Sequence, residues 1–163
     1  MSLLKLIIIS FLFLLSVFGK AQNNFLAGKW LSVNDGDSSF LIFTKDFTYI
    51  IDEPSESIYY GGLNAYSEDD AIFLDHRYTL DTSVLPHKFT LTAYIANTDS
   101  FFFMIPAIFE LRGDNTLACV FANAIFKEDG NLKELINKFY AKAIIGAEVD
   151  DEDYETYIFK FLK

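Results

Sequence analysis

Between Ile105 and Phe121 the chain reads IPAIFELRGDNTLACVF, two apolar runs around a short polar turn. That pattern predicts a β-hairpin. A two-residue loop at Gly113-Asp114 would set Leu111 opposite Thr116 and Glu110 opposite Leu117, polar against apolar. A three-residue loop, Gly113-Asp114-Asn115, sets Leu111 opposite Leu117, Phe109 opposite Cys119 and Ala107 opposite Phe121. Arg112 with Thr116, and Glu110 with Ala118, then share the other face. A one-residue slip turns every side chain over, so the side that must be buried fixes the register. The three-residue loop is therefore expected, with Asn115 in the left-handed conformation that asparagine tolerates.

The rest of the chain repeats the period of two. Ala27 to Val33 is a first strand candidate, followed by the turn cluster Asn34-Asp35-Gly36-Asp37 and a second candidate from Ser39 to Thr44. Phe47, Tyr49 and Ile51 alternate with Thr48, Ile50 and Asp52, and Ser57 to Leu63 follows with Gly61-Gly62 placed to bend or end it. Ile72, Leu74, His76, Tyr78 and Leu80 fall on one side of a long strand, and Phe73, Asp75, Arg77, Thr79 and Asp81 on the other, which gives one buried and one wet face. After Pro86, Phe89, Leu91, Ala93 and Ile95 oppose Lys88, Thr90, Thr92 and Tyr94. Tyr157, Phe159 and Phe161 alternate with Ile158, Lys160 and Leu162 in a last strand.

One stretch has helical spacing. Leu132, Leu135, Ile136, Phe139, Tyr140 and Ala143 recur on one face, Asn131 can cap them, Glu134 is placed for a capping box, and Gly146 is a plausible stop. Many short strands with one late amphipathic helix predict an all-β, antiparallel up-and-down barrel.

The N-terminus has a different composition. Lys5 precedes an apolar and Ser run from Leu6 to Phe18, and Gly19-Lys20-Ala21 supplies small residues before Gln22. This is the pattern of a signal peptide, residues 1–21. A membrane span needs roughly 20 apolar residues, and the run stops short at Lys20, so no stable membrane insertion is expected after cleavage. Residues 22–163 are then one domain, expected in a secreted or periplasmic setting and as a monomer. Loss of Lys5 and Lys20 moves the formal charge from −10 to −12. So acidic a chain does not suit nucleic acid or anionic lipid surfaces. Cys119, the single cysteine, cannot form an internal disulfide. No Asn-x-Ser/Thr site is present, which leans towards a bacterial source.

Two groups of residues together resemble a known family. Gly28-Lys29-Trp30 looks like the Gly-x-Trp opening of lipocalin barrels. The series Tyr78, Leu80-Asp81, Pro86, Phe89, Leu91, Ile108-Phe109-Glu110-Leu111, Gly113-Asp114, Leu117 and Cys119 is similar to the later part of small bacterial lipocalin-like domains of unknown function. The match departs at Phe89-Thr90-Leu91, where the family has isoleucine-aspartate-leucine. It also lacks the late arginine of animal lipocalins, for which Lys160 is the nearest stand-in. The resemblance implies a barrel of about eight strands, with Trp30 plugging one end, and no assigned ligand.

The expected role follows from barrel and resemblance: a carrier of a small apolar or amphipathic molecule. Its binding residues are expected to be Trp30 together with the inward aromatics Tyr49, Tyr78, Phe89, Phe103 and Phe109. His76, on the apolar side of its strand, either bonds a ligand's polar head or is satisfied by Tyr78 or a backbone carbonyl. His87, beside Pro86, is expected at the surface. The alternative role is a ligand-free structural or protein-interaction module of the cell envelope with a filled barrel, motivated by Phe102 and Met104 beside Phe101 and Phe103. No cofactor is expected, and neither is a metal site, since two widely spaced histidines and one cysteine make no zinc set. Asp35-Gly36-Asp37 and Asp150 to Asp153 lack calcium-loop spacing. No nucleophile elbow or phosphate-cradling loop is present, so enzymatic activity is not expected. Arg112-Gly113-Asp114 spells a receptor-read tripeptide, but turn chemistry already accounts for it.

Overall fold

The computed structural model describes residues 24–34, 36–54, 58–67, 71–113, 115–145 and 154–162. The leader, Gly146 and Asp150 to Asp153 lie outside the described residues.

The chain forms a nearly closed antiparallel barrel. Its strands are β1 (Gly28–Asn34), β2 (Asp37–Phe43), β3 (Tyr49–Glu53), β4 (Ile58–Gly61), β5 (Ala65–Ser67), β6 (Ile72–Asp81), β7 (His87–Ile95), β8 (Phe101–Arg112), β9 (Thr116–Ala122), β10 (Ile125–Phe126) and β11 (Tyr154–Leu162). Neighbours in sequence are neighbours in the wall, and β11 returns between β9 and β1. The two-residue β10 stands off this path and pairs with β8. The wall thus has ten strands where about eight were expected. β5 has no counterpart in the sequence reading, and with β4 it forms the ends of the sheet.

Backbone bonds close the gap between those two ends. Gly62 N donates to Tyr49 O at 2.7 Å, His76 N to Gly62 O at 2.7 Å, and Tyr78 N to Phe47 O at 2.9 Å. Thr48 and Arg77 form an antiparallel bridge beside them. Gly61 permits the approach, because a Cβ there would overlap the backbone of Tyr49 and Ile50, and its φ is +129°.

The β8–β9 hairpin has the three-residue loop. Leu111 pairs with Leu117, Phe109 with Cys119 and Ala107 with Phe121, and Asn115 has φ of 57°. Burial departs from the simple alternation. Leu111, at the loop, is exposed, whereas Thr116, Ala118, Ile108 and Val120 on the outer face are buried. The cover is α1 (Leu132–Lys142), whose Phe139 packs with Ile108 and Val120. Asn131 caps α1 by accepting from Glu134 N at 3.4 Å, and its amide donates to Glu134 Oε2 at 3.2 Å. The helix ends at Ala143, three residues before the glycine expected to stop it.

β6 keeps its expected faces, with Leu74, His76, Tyr78 and Leu80 buried and Phe73, Arg77, Thr79 and Asp81 exposed. Asp75 is the departure. It is buried on the outer side, where it accepts from Asn64 N at 3.1 Å and from Arg77 at 2.9 Å.

One end of the barrel is sealed. Leu26 is fully buried there, and Trp30 Nε1 donates to its carbonyl at 2.8 Å. The Trp30 ring meets Phe161 edge-on at 5.0 Å between centroids. A Cβ at Gly28 would collide with that same Phe161 ring, which accounts for the glycine of Gly28-Lys29-Trp30. Asn24 donates to Thr44 O at 2.8 Å and accepts from the Tyr78 hydroxyl at 2.5 Å, so the entering segment is tied to two other strands. Lys160 points away from the indole and donates to Thr116 Oγ1 at 2.5 Å. Phe161, not Lys160, covers the tryptophan. His87, expected at the surface, is half-buried because its ring packs on Phe25 and Phe109.

Candidate functional site

The inward face of each strand runs from the sealed end to the opposite mouth. Phe43 and Leu41 lead to Ser39 on β2, and Tyr49 and Ile51 lead to Glu53 on β3. Leu117, Cys119 and Phe121 lead to Asn123 beyond β9, and Phe159 and Tyr157 lead to Glu155 on β11. In each case the period of two continues unbroken, but the last inward residue is polar. Phe43, Tyr49, Phe89 and Phe109 are fully buried, whereas Ile51, Tyr60, Ile105, Phe121 and Tyr157 nearer the mouth are only partly buried.

A cavity of about 230 Å³ opens there. Leu41, Ile51, Leu91, Ile105, Phe121 and Phe159 make its apolar part. Ser39, Glu53, Tyr60, Asn123, Glu155 and Tyr157 bring polar atoms to it. One wall is aromatic: Phe121 meets Tyr157 edge-on at 5.6 Å, and Tyr157 stacks on Phe159 at 5.7 Å. An apolar pocket with a few converging polar groups is the usual form of a small-molecule site. The size admits a ring with a short substituent, since about 150 Å³ of apolar space already holds benzene.

The mouth is electrostatically negative. The Tyr157 hydroxyl donates to Glu155 Oε2 at 2.6 Å. Burial first, and then the Glu155 and Glu53 carboxylates and Tyr60, push the Tyr157 phenol well above its ordinary range. Burial and the Glu53 carboxylate raise Tyr60 to about 12. Both phenols therefore stay neutral donors at any physiological pH. Among the described residues that line the cavity there is no lysine, arginine or histidine.

The seven residues expected to bind ligand lie deeper or to one side. Trp30, Tyr49, Tyr78, Phe89 and Phe109 join the packed core of the sealed half. Phe43 contacts both Tyr78 (4.6 Å) and Phe89 (5.4 Å), and Phe89 contacts Phe109 at 5.5 Å. His76 is buried among Tyr49, Tyr60 and Phe103, with ring centroids at 5.4, 5.6 and 6.3 Å. Phe103 is half-buried and also meets Phe102 and Phe126. None of the seven lines the cavity. The structure brings His76, Tyr49 and Phe103 together, and separately Tyr78, Phe89 and Phe109.

Two buried polar atoms in the first group, Tyr49 Oη and His76 Nδ1, have no hydrogen-bond partner among the described residues. Burial lowers the His76 pKa below its ordinary 6.5, against the opposing pull of the nearby Gly62 carbonyl, Asp75 and the Leu74 carbonyl. Burial likewise raises Tyr49 well above the normal phenol range. Both groups are accordingly neutral. Cys119 is fully buried, and desolvation lifts its thiol pKa well above normal. Among the described residues no group of three or more His, Cys, Asp or Glu is arranged to hold a metal ion.

Sequence reading overlooked both the apolar lining, Leu41, Ile51, Leu91, Ile105, Phe121 and Phe159, and the polar residues at the strand ends. The signal of the polar ones was positional: Ser39, Glu53 and Glu155 continue the inward register of apolar residues. Following each inward face to the strand's end would have found them. Comparison of the chain with protein-family models, with curated proteins and with solved structures finds no match.

Proposed function

We propose that this protein is a lipocalin-like carrier that binds a small apolar or amphipathic molecule in the cavity at the open end of its barrel. One observation carries the reading. The barrel is sealed and filled at the Trp30 end, yet about 230 Å³ remains open at the other, over an apolar floor. A barrel of this kind either fills itself with side chains or keeps room for one ligand, and this one does the first in one half and the second in the other. The leader-like sequence before Gln22 supports action outside the cytoplasm, in the periplasm or beyond the cell. No helix among the described residues is long and apolar enough to cross a membrane.

The test is titration with the small neutral dye 1-naphthylamine, read by its fluorescence. Saturable one-site binding is expected. Ile105→Trp, which fills the cavity from β8, should abolish it while leaving the circular dichroism unchanged. No dye binding, or binding that survives the filled cavity, would contradict the carrier reading.

A second reading, a protein-interaction module, draws on the outer surface around β4 to β6. Tyr66 and Phe73 pair across β5 and β6 at 5.4 Å and are each 56% exposed, and Tyr59 and Leu63 on the adjoining segments are also exposed. Exposed apolar groups in one region mark contact surfaces. Phe102 and Met104, which first motivated this reading, are half-buried and are covered by β10 rather than α1.

A further inference from the structure

We infer that the ligand of this cavity is an organic cation, a protonated amine whose apolar body is about one ring in size. The inference rests on the carrier reading and adds the charge of what is carried. Glu53 enters from β3 and Glu155 from β11, and both line the same apolar cavity. No cationic side chain among the described residues lines it to neutralise them. The ion pairs among the described residues lie elsewhere, at Lys29–Asp52, Arg77–Asp75 and Arg112–Glu110.

The field of these carboxylates reaches into the cavity. Glu53 acts on Tyr60, and Glu53 and Glu155 both act on Tyr157. A fatty acid or other anion would place its head group beside the Glu53 and Glu155 carboxylates, and the Tyr60 and Ser39 hydroxyls would offer it only neutral hydrogen bonds in return. An ammonium group gains a carboxylate acceptor at Glu53 or Glu155 beside the aromatic wall of Tyr157 and Phe121, and aromatic faces attract cations. Ser39 supplies a further oxygen at the rim. A bare divalent metal ion is a poorer fit, because calcium takes about six to eight oxygen ligands and among the described residues only two carboxylates line the cavity, with no third acidic group beside them. Volume sets the remaining limit. The space suits a ring with a short amino-alkyl arm and not a long acyl chain.

Three compounds of one shape test this on the full mature chain: 2-phenylethylammonium, 2-phenylethanol and phenylacetate, each displacing 1-naphthylamine. The ammonium is expected to bind about tenfold more tightly than the alcohol, the worth of one charge-assisted hydrogen bond. The carboxylate should bind more weakly than either. Glu53→Gln and Glu155→Gln should each shrink the ammonium's advantage, and salt should weaken the ammonium but not the alcohol. Glu110→Gln, on the outer surface, should leave the preference intact. If the dye binds but the ammonium has no advantage over the alcohol, the cation is refuted and the carrier stands. If dye and all three compounds fail to bind, both readings fall. Should a glutamine variant not fold, the order of the three compounds and its salt dependence still decide the matter.

Discussion

The indole of Trp30 donates its Nε1–H to the carbonyl of Leu26 at 2.8 Å, and both residues are buried. That bond joins the segment entering the barrel to the strand that begins it. It makes the sealed end a single unit of Leu26, Trp30 and Phe161. Trp30→Phe keeps an aromatic ring but leaves the Leu26 carbonyl buried and unpaired, with a small void beside it. A loss of about 2–3 kcal/mol is expected from urea unfolding. The wild-type Trp30 emission should be blue-shifted and resist acrylamide quenching. A loss under about 0.5 kcal/mol, the scale of an ordinary surface change, would mean that this end is not sealed as described.

Gly61 sits where the two ends of the sheet meet. Alanine there would put its Cβ into the Tyr49 and Ile50 backbone while holding a φ of +129°. Strained conformation and backbone overlap together should cost more than about 2 kcal/mol. The measurement is again the urea midpoint. Far-UV circular dichroism of Gly61→Ala should retain strand signal if only the seam, and not the hairpins, is disturbed.

His76 makes stability depend on pH. Burial holds its folded pKa below 6.5, so between that lowered value and 6.5 the unfolded chain binds a proton that the folded chain does not. Stability therefore rises with pH across this window and is lost as the pH falls through it. Above 6.5 the imidazole is neutral in both states and contributes no slope. His76→Leu should flatten the dependence between pH 7 and pH 5 relative to wild type, with the shared carboxylates cancelling in the difference. Parallel curves for the two proteins would contradict this.

Cys119 lies at the centre of the packed half, fully buried, with its thiol pKa raised. Reactivity needs an accessible thiolate. Ellman's reagent should leave native protein unlabelled at pH 8 and label one thiol per chain in urea. Rapid labelling of the native protein would show that the sealed half opens readily.

Much of the fold was legible because alternation is a strong constraint wherever one face is wet. On β6 the sequence IFLDHRYTLD carries its faces openly, and on β8–β9 the apolar pairs select a single register. What stayed hidden has physical causes. β5 has three residues and β10 two, too few to display any period. Thr116 and Ala118 read as an outer, polar-leaning face, and only the packing of α1 over neighbouring Ile108 and Val120 makes that side of the sheet dry. For the site, large inward aromatics point to the core and not to the cavity: Phe43, Tyr78, Phe89 and Phe109 pack on one another and are buried. The open space falls where Ser39, Leu41 and Leu91 leave room.

Two-dimensional ¹H–¹⁵N NMR during the dye titration tests the central claim, a barrel sealed at one end and receptive at the other. The amides of Ile51, Leu91, Ile105 and Phe121 should shift on saturation, while the Trp30 indole N–H resonance stays in place. Shifts centred on Trp30, or confined to the outer surface around Tyr66 and Phe73, would contradict it.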